Sequence, residues 1–400
     1  MAILKFALRR NLIYPLQHIL WNFVRQLLTM LINHLFKFSD SLLYSPLMFL
    51  GELFGGLIIY FYQKKYMLAG KGEEKEKYFM SIQLISNKEE EDDYFIPVDG
   101  IIKRAFLMFL IAYFDEVQFL MDTAIVPKFK KLSNSIFLRL SGFSTFFTLP
   151  FYLYALRLPI YKHHKLSLFI IGICLILIII FEYYYQEINI FFTYTQFTDN
   201  LAIIIMSQLL RAVMDSAEKY LFEFNYMNPF LVLSYEGLFG FILNLTFFTF
   251  PDYLHDIKEV YKEKSTGMFI LFIFMLFVYL ILCGGRNIFR VVTNKIYSPM
   301  AESLTDYFLN PLYLPYYYFS TSNNYNISCF TINFFLSLII SFFGCVYNEF
   351  IILSFCGFEK ETHYQISKRS EENIITELSK FELDKFESDE DSHNSDDCSS

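Results

Sequence analysis

The chain has 400 residues, 54% of them hydrophobic and 18% charged, with a formal net charge of −8. Its apolar residues cluster into long runs, such as 166–184 and 268–283, that a soluble fold would interrupt with polar faces, so the class is an all-α polytopic membrane protein. No basic surplus suits nucleic acid, and the six cysteines (Cys174, Cys283, Cys329, Cys345, Cys356 and Cys398) form neither a CxxC pair nor a disulfide framework.

In chain order, apolar segments of about membrane length predict ten spans: 14–36, 42–61, 101–125, 132–154, 166–184, 201–220, 230–250, 268–283, 300–319 and 330–355. Before the first, Lys5, Arg9 and Arg10 form no cleavable signal pattern. Gln17, His18, Asn22, Arg25, Gln26, Asn33 and His34 crowd this segment, which reads as a span with an interfacial helix as the alternative. The loop 63–100, densely charged over 72–99, lacks helical or strand periodicity. His163-His164, beside Lys162 and Lys165, reads as a basic loop rather than a metal site. The eighth span is expected to run on past Gly284-Gly285. The segment 286–295 is counted as cytosolic, and Asn326-Ile327-Ser328 is a glycosylation sequon on the opposite side. Residues 357–400 form an acidic, disordered tail. Most of the 33 Lys and Arg then fall on the side of the N-terminus, so both termini are expected to be cytosolic.

The stretch 200–250 is the most informative. Gln208, Arg211, Asp215 and Glu218 share a helical face on one span, and Glu236, Gly240 and Asn244 repeat every four residues on the next. A charge at the bilayer centre costs roughly 2.5–3.5 kcal/mol on insertion scales, so such residues face a partner helix or a watery cavity. Ser298, Glu302, Asp306 and Asn310 step by four along the ninth span. Arg211 and Asp215 are the obvious structural pair, while Arg139 has no carboxylate four residues away and needs a partner from another helix or from a ligand. The residues that could line a path or couple transport are Glu52, Asp115, Arg139, Arg211, Asp215, Glu236, Glu302 and Asp306. Acids exceed bases among the buried charges, which suits protons or a cationic solute. Gly51, Gly55, Gly237 and Gly240 are placed for close helix packing.

The halves echo each other at a five-span offset. Gly51-Glu52-Leu53-Phe54-Gly55 is echoed by Glu236-Gly237-Leu238-Phe239-Gly240, Leu149-Pro150-Phe151-Tyr152 by Leu314-Pro315-Tyr316-Tyr317, and Leu166-Ser167-Leu168 by Leu336-Ser337-Leu338. An odd number of spans per repeat makes the second copy inverted, giving repeats over 11–184 and 200–356.

Glu218-Lys219 leading to Tyr235-Glu236-Gly237-Leu238-Phe239-Gly240-Phe241 resembles the drug/metabolite transporter superfamily, and within it the F-type branch of solute carrier family 35. Met48-Phe49-Leu50-Gly51-Glu52, Leu138-Arg139-Leu140-Ser141-Gly142, Val346-Tyr347-Asn348 and Ile32-Asn33 with Lys37 and Asp40 add to it, over nearly 11–356. The resemblance implies ten helices in two inverted five-helix repeats with cytosolic ends, in a Golgi, lysosomal or vacuolar membrane. Better-known relatives exchange nucleotide sugars for nucleoside monophosphates. The Asp115-Glu116 tract, the polar first span, the charged loop and the acidic tail depart from that pattern.

The expected function is therefore secondary transport of a small metabolite, a nucleotide sugar or related organic solute, across an endomembrane by alternating access. A non-transporting scaffold or sensor with the same fold is the alternative. No HExxH, P-loop, GxGD or GxSxG pattern points to an enzyme, and no cofactor or metal is expected. The expected partners are the lipid bilayer, a small-molecule solute, a second copy of the chain in a homodimer, and cytosolic proteins that bind the acidic tail.

Overall fold

The computed structural model describes residues 4–6, 13–36, 43–69, 100–128, 140, 142–156, 160–187, 194–247, 250–312, 314–315, 327–362 and 365. The charged stretch 72–99, Arg139, Asn326 and the tail beyond 365 lie outside them. The described chain is helical apart from one two-stranded ribbon. Its helices are α1 (Ile13–Phe36), α2 (Tyr44–Ala69), α3 (Ile101–Lys128), α4 (Phe143–Pro150), α5 (Lys162–Glu187), α6 (Tyr194–Glu223), α7 (Pro229–Phe247), α8 (Phe250–Glu263), α9 (Thr266–Ile296), α10 (Pro299–Tyr307) and α11 (Ile327–Tyr347).

Five of these, α2, α5, α7, α9 and α11, carry stretches long and apolar enough to cross a membrane. The helices α3 and α6 have 28 and 30 residues, about 42 and 45 Å at 1.5 Å per residue, but carry buried charges that lower their hydropathy. The outer faces of the bundle are apolar, and part of its interior is polar. On α1, Ile13, Leu16, Leu20, Val24, Leu27 and Leu31 form an exposed stripe at helical spacing, while His18 and Asn22 are buried. Of the polar residues that crowd the first predicted span, His18 and Asn22 thus lie on its inward face, while His34 is exposed. Exposed Ile270, Ile273, Phe274, Phe277 and Ile281 repeat the arrangement on α9, whose inward face holds Asn287, Arg290 and Asn294. Apolar area this continuous needs a nonaqueous surround.

The most extensive helix contacts are α2 with α7 and α9, α1 with α9, α5 with α11, α3 with α6 and α7, and α4 with α6 and α10. Glycines set the closest of these. A Cβ on Gly51 would lie 2.6 Å from the Leu280 carbonyl oxygen, one on Gly284 2.6 Å from that of Gly51, and one on Gly237 2.6 Å from that of Phe49. The helix α2 is thereby clasped between α7 and α9, as the placing of Gly51 and Gly237 predicted.

Four elements differ from the sequence reading. In the fourth span, α4 continues as a π-helical turn, Phe151–Ala155, in which the Leu156 N–H reaches the Phe151 carbonyl at 2.8 Å. Pro150 lacks an N–H, so the α-helical ladder is interrupted there and the wider turn takes over. The ninth span breaks after Tyr307, because Pro311 clashes with the carbonyl four residues back; Asn310 therefore lies beyond the helix it was assigned to. The tenth ends at Tyr347, where left-handed Glu349 (φ 57°) turns the chain into a strand. That strand, β2 (Ile351–Leu353), pairs antiparallel with β1 (Leu4–Phe6), so the segments flanking α1 and α11 meet on one side. Finally, α8 occupies what was read as a loop. Proline in its first turn and Lys262 in its last suit a helix, and buried Val260 docks it on Phe272 and its neighbours.

Candidate functional site

Polar and ionisable side chains from α2, α3, α6, α7, α9 and α10 converge in the interior. The axis of the site is α9, where Tyr279, Cys283, Asn287, Arg290 and Asn294 fall on one helical face and are buried. The Arg290 guanidinium sits among three carboxylates, with Nη1 3.1 Å from Asp215 Oδ1, and Nη2 2.6 Å from Glu218 Oε1 and 3.3 Å from Glu236 Oε2. Only 3% of its side chain is exposed. A guanidinium with this many donors can bridge carboxylates from two helices, which a lysine could not do with the same planar fork. The Asn294 amide donates to Glu218 Oε2 at 2.9 Å and to the Asp215 carbonyl at 3.0 Å. These bonds place α6 and α7 around the last turns of α9.

Arg211 carries the network sideways. Its Nη2 lies 3.0 Å from Glu302 Oε1, and its Nε lies 3.6 Å from Asp215 Oδ2. The pair expected along α6 is present, yet the nearer partner of Arg211 is Glu302 on α10. His18 Nε2 approaches the same Glu302 carboxylate at 4.0 Å. Glu302 therefore joins α1, α6 and α10, beyond any interaction with the start of its own helix.

One turn from Arg290, the Asn287 amide donates to Glu52 Oε1 at 2.5 Å, while Glu52 Oε2 has no hydrogen-bond partner among the described residues. Asp115 on α3 lies close enough to Glu52 and Glu236 for charge repulsion, and close enough to Arg290, Arg286 and Arg211 for attraction. Its neighbour Glu116 faces a separate layer and accepts from Ser45 Oγ at 3.1 Å and Asn244 Nδ2 at 2.8 Å. Arg25 Nη1 donates to the Tyr279 hydroxyl at 3.4 Å, and Lys219 Nζ donates to the Lys295 carbonyl at 2.6 Å. The interior is thus a column of polar layers along α9, from Tyr279 to the helix end. Among the described residues no group of His, Cys, Asp and Glu could hold a metal ion.

Of the eight residues singled out in the sequence, Glu52, Asp115, Arg211, Asp215, Glu236 and Glu302 come together here. Arg139 is outside the described residues, and Asp306 is placed on α10 by its backbone alone. Arg290 was missed, because the basic residues of 286–295 were counted as cytosolic even though the helix was expected to run on past Gly284-Gly285. Its signal was the continuation of α9 through Gly284-Gly285, which puts Asn287, Arg290 and Asn294 at helical spacing. Glu218, His18 and Asn294 complete the network. The reading of His163-His164 as a solvated loop is corrected as well: His163 is buried, with Nε2 3.6 Å from Glu349 Oε1. No family model matches the chain, and no curated protein matches it.

Proposed function

We propose that the protein is a secondary carrier that moves a small metabolite across an endomembrane by alternating access, with its path along the α9 column. In this reading it has ten spans in two inverted five-helix repeats, 11–184 and 200–356, and cytosolic ends. It is then a member of the drug/metabolite transporter superfamily, near the F-type branch of solute carrier family 35. The observation that carries the reading is the interior itself. Charges from six helices are buried together inside a bundle whose outer surface is apolar, and ionisable groups held at membrane depth mark ion and solute routes.

Two further observations support it. Exchanging α1 to α5, taking α9 in place of α3's counterpart, with α6, α7, α9, α10 and α11 maps the main helix pairs onto one another. The α1–α9 pair becomes α6–α3, α2–α9 becomes α7–α3, α4–α6 becomes α10–α1, and α2–α7, α4–α10 and α5–α11 map onto themselves. Such exchange is expected of two copies of one unit. The pairing of β1 with β2 also requires an even number of crossings between them.

The test is counterflow in proteoliposomes preloaded with unlabelled solute, across nucleotide sugars, nucleotides, amino acids and amines. The expected result is saturable uptake of one class, abolished by Glu236→Gln. Absence of saturable uptake for every class would remove the carrier reading.

A further inference from the structure

Among the described residues, the charges gathered around α9 do not balance. Glu52, Asp115, Asp215, Glu218, Glu236 and Glu302 face the guanidiniums of Arg211, Arg286 and Arg290. The guanidinium contacts are unevenly shared. Asp215, Glu218 and Glu236 each lie within 3.3 Å of Arg290, and Glu302 lies 3.0 Å from Arg211. Glu52 has only the Asn287 amide, on Oε1; among the described residues no cation lies within ion-pair distance of it. Its side chain is 1% exposed and its Oε2 has no hydrogen-bond partner among them. An ionised carboxyl in that position is desolvated with a single amide hydrogen bond and no guanidinium in direct contact, and a proton on Oε2 removes the charge.

The groups facing Glu52 from the packed helices are negative on three of them and positive on one. Asp115 on α3, Glu218 on α6 and Glu236 on α7 present negative charge, while α9 offers Cys283, Arg286, Asn287 and Arg290. The surrounding space is small. A Cβ on Gly237 would stand 2.9 Å from the Glu52 Cβ, and Gly51 lets α2 touch the backbone of α9. So close a fit favours the smallest cation over an organic one.

We propose that Glu52 binds an exchangeable proton on Oε2 and that this proton is the coupling ion of the carrier, an assignment that rests on the transport reading for its coupling role. Loading forms an O–H bond with a proton from water on one side of the membrane. Release breaks that bond to water on the other side and leaves a carboxylate; nothing is oxidised or reduced. The Asn287 amide holds Oε1 in both states, so the group keeps its orientation while its charge changes. Arg290 is within electrostatic reach of the carboxylate that release leaves behind.

The test is infrared difference spectroscopy of the purified full chain in lipid nanodiscs, titrated with pH in H2O and in D2O. The expected result is a protonated-carboxyl band that shifts in D2O and fades as pH rises, with one carboxyl's intensity lost in Glu52→Gln. If Glu52→Gln does not fold, Glu52→Asp keeps the acid but withdraws it by one methylene, and the band must move in frequency or titration midpoint. An equal band in the wild type and both variants overturns the proposal, as does no band at any pH. Thermal stabilisation of the bandless wild type by tetramethylammonium chloride, but not by sodium chloride, would place an organic cation there instead. The measurement needs no transported solute. Failed counterflow beside a Glu52 band therefore overturns the transport reading and the coupling role, but not the proton site.

Discussion

Two regions of the bundle are built on opposite principles. Around α4, α5, α10 and α11 the core is apolar: Leu140, Ile171, Leu175, Ile178, Leu304, Tyr307 and Ile340 are essentially inaccessible and pack on one another. Around α2, α6, α7 and α9 the same depth is filled by Glu52, Asp215, Glu236 and Arg290. An apolar interface in a membrane gains mainly from packing, because lipid tails are as apolar as leucine. A buried ion network seldom outperforms packed hydrophobes in stability, yet it becomes a liability once one partner is removed. The contrast separates a region held by apolar packing from one whose stability depends on its ion pairs staying whole.

The sharpest way to break that contrast is Arg290→Met. Leaving Asp215, Glu218 and Glu236 without their shared cation should cost about 3–5 kcal/mol, read as lost monodisperse protein and a lowered Tm in detergent. Adding Asp215→Asn and Glu236→Gln to that variant should recover much of the fold without recovering uptake. Wild-type stability in Arg290→Met alone would show that the network is not what positions α6 and α7.

Next in size is Leu175→Ala in the apolar region, expected to cost about 3 kcal/mol through the cavity it leaves. Thermal unfolding should register the loss, while, on the proposed transport reading, the protein that remains folded keeps its KM for the solute. A changed KM would dissolve the division between the two regions. Ser45→Ala should matter less, about 1 kcal/mol, since Glu116 keeps the Asn244 amide at 2.8 Å; a Tm unchanged from wild type would remove that layer from the network. The smallest effect is expected from removing 366–400. A carrier should keep its uptake, whereas a scaffold would lose its co-purifying partners and its cellular role.

Much of the helical architecture was legible because apolar runs of membrane length are rare outside membranes. The six gathered site residues were legible because a charge within such a run is unfavourable without a partner. Arg290 was hidden by its company: Arg286, Arg290 and Lys295 read as cytosolic charges at the end of the helix, although Gly284 packs on α2 and α9 carries Arg290 inward. The helix α8 was hidden because polar residues dominate it and only a narrow face docks. The break after Tyr307 could have been read from Pro311. Strands of three residues carry too little periodicity to be recognised, and nothing near Leu4 in the sequence indicates that its partner is Leu353.

That ribbon has a consequence for biogenesis. Leu4–Phe6 leaves the ribosome before α1, and Ile351–Leu353 only after α11. The first strand therefore stays without its mate while α1 to α11 are made, and the contact it finally makes has among the largest chain separations in the described fold. Ribbon closure is a late event that reports completed assembly. A nascent chain halted before Ile351 would leave the N-terminal segment open, where a protease or a conformation-specific antibody could tell unfinished molecules from finished ones.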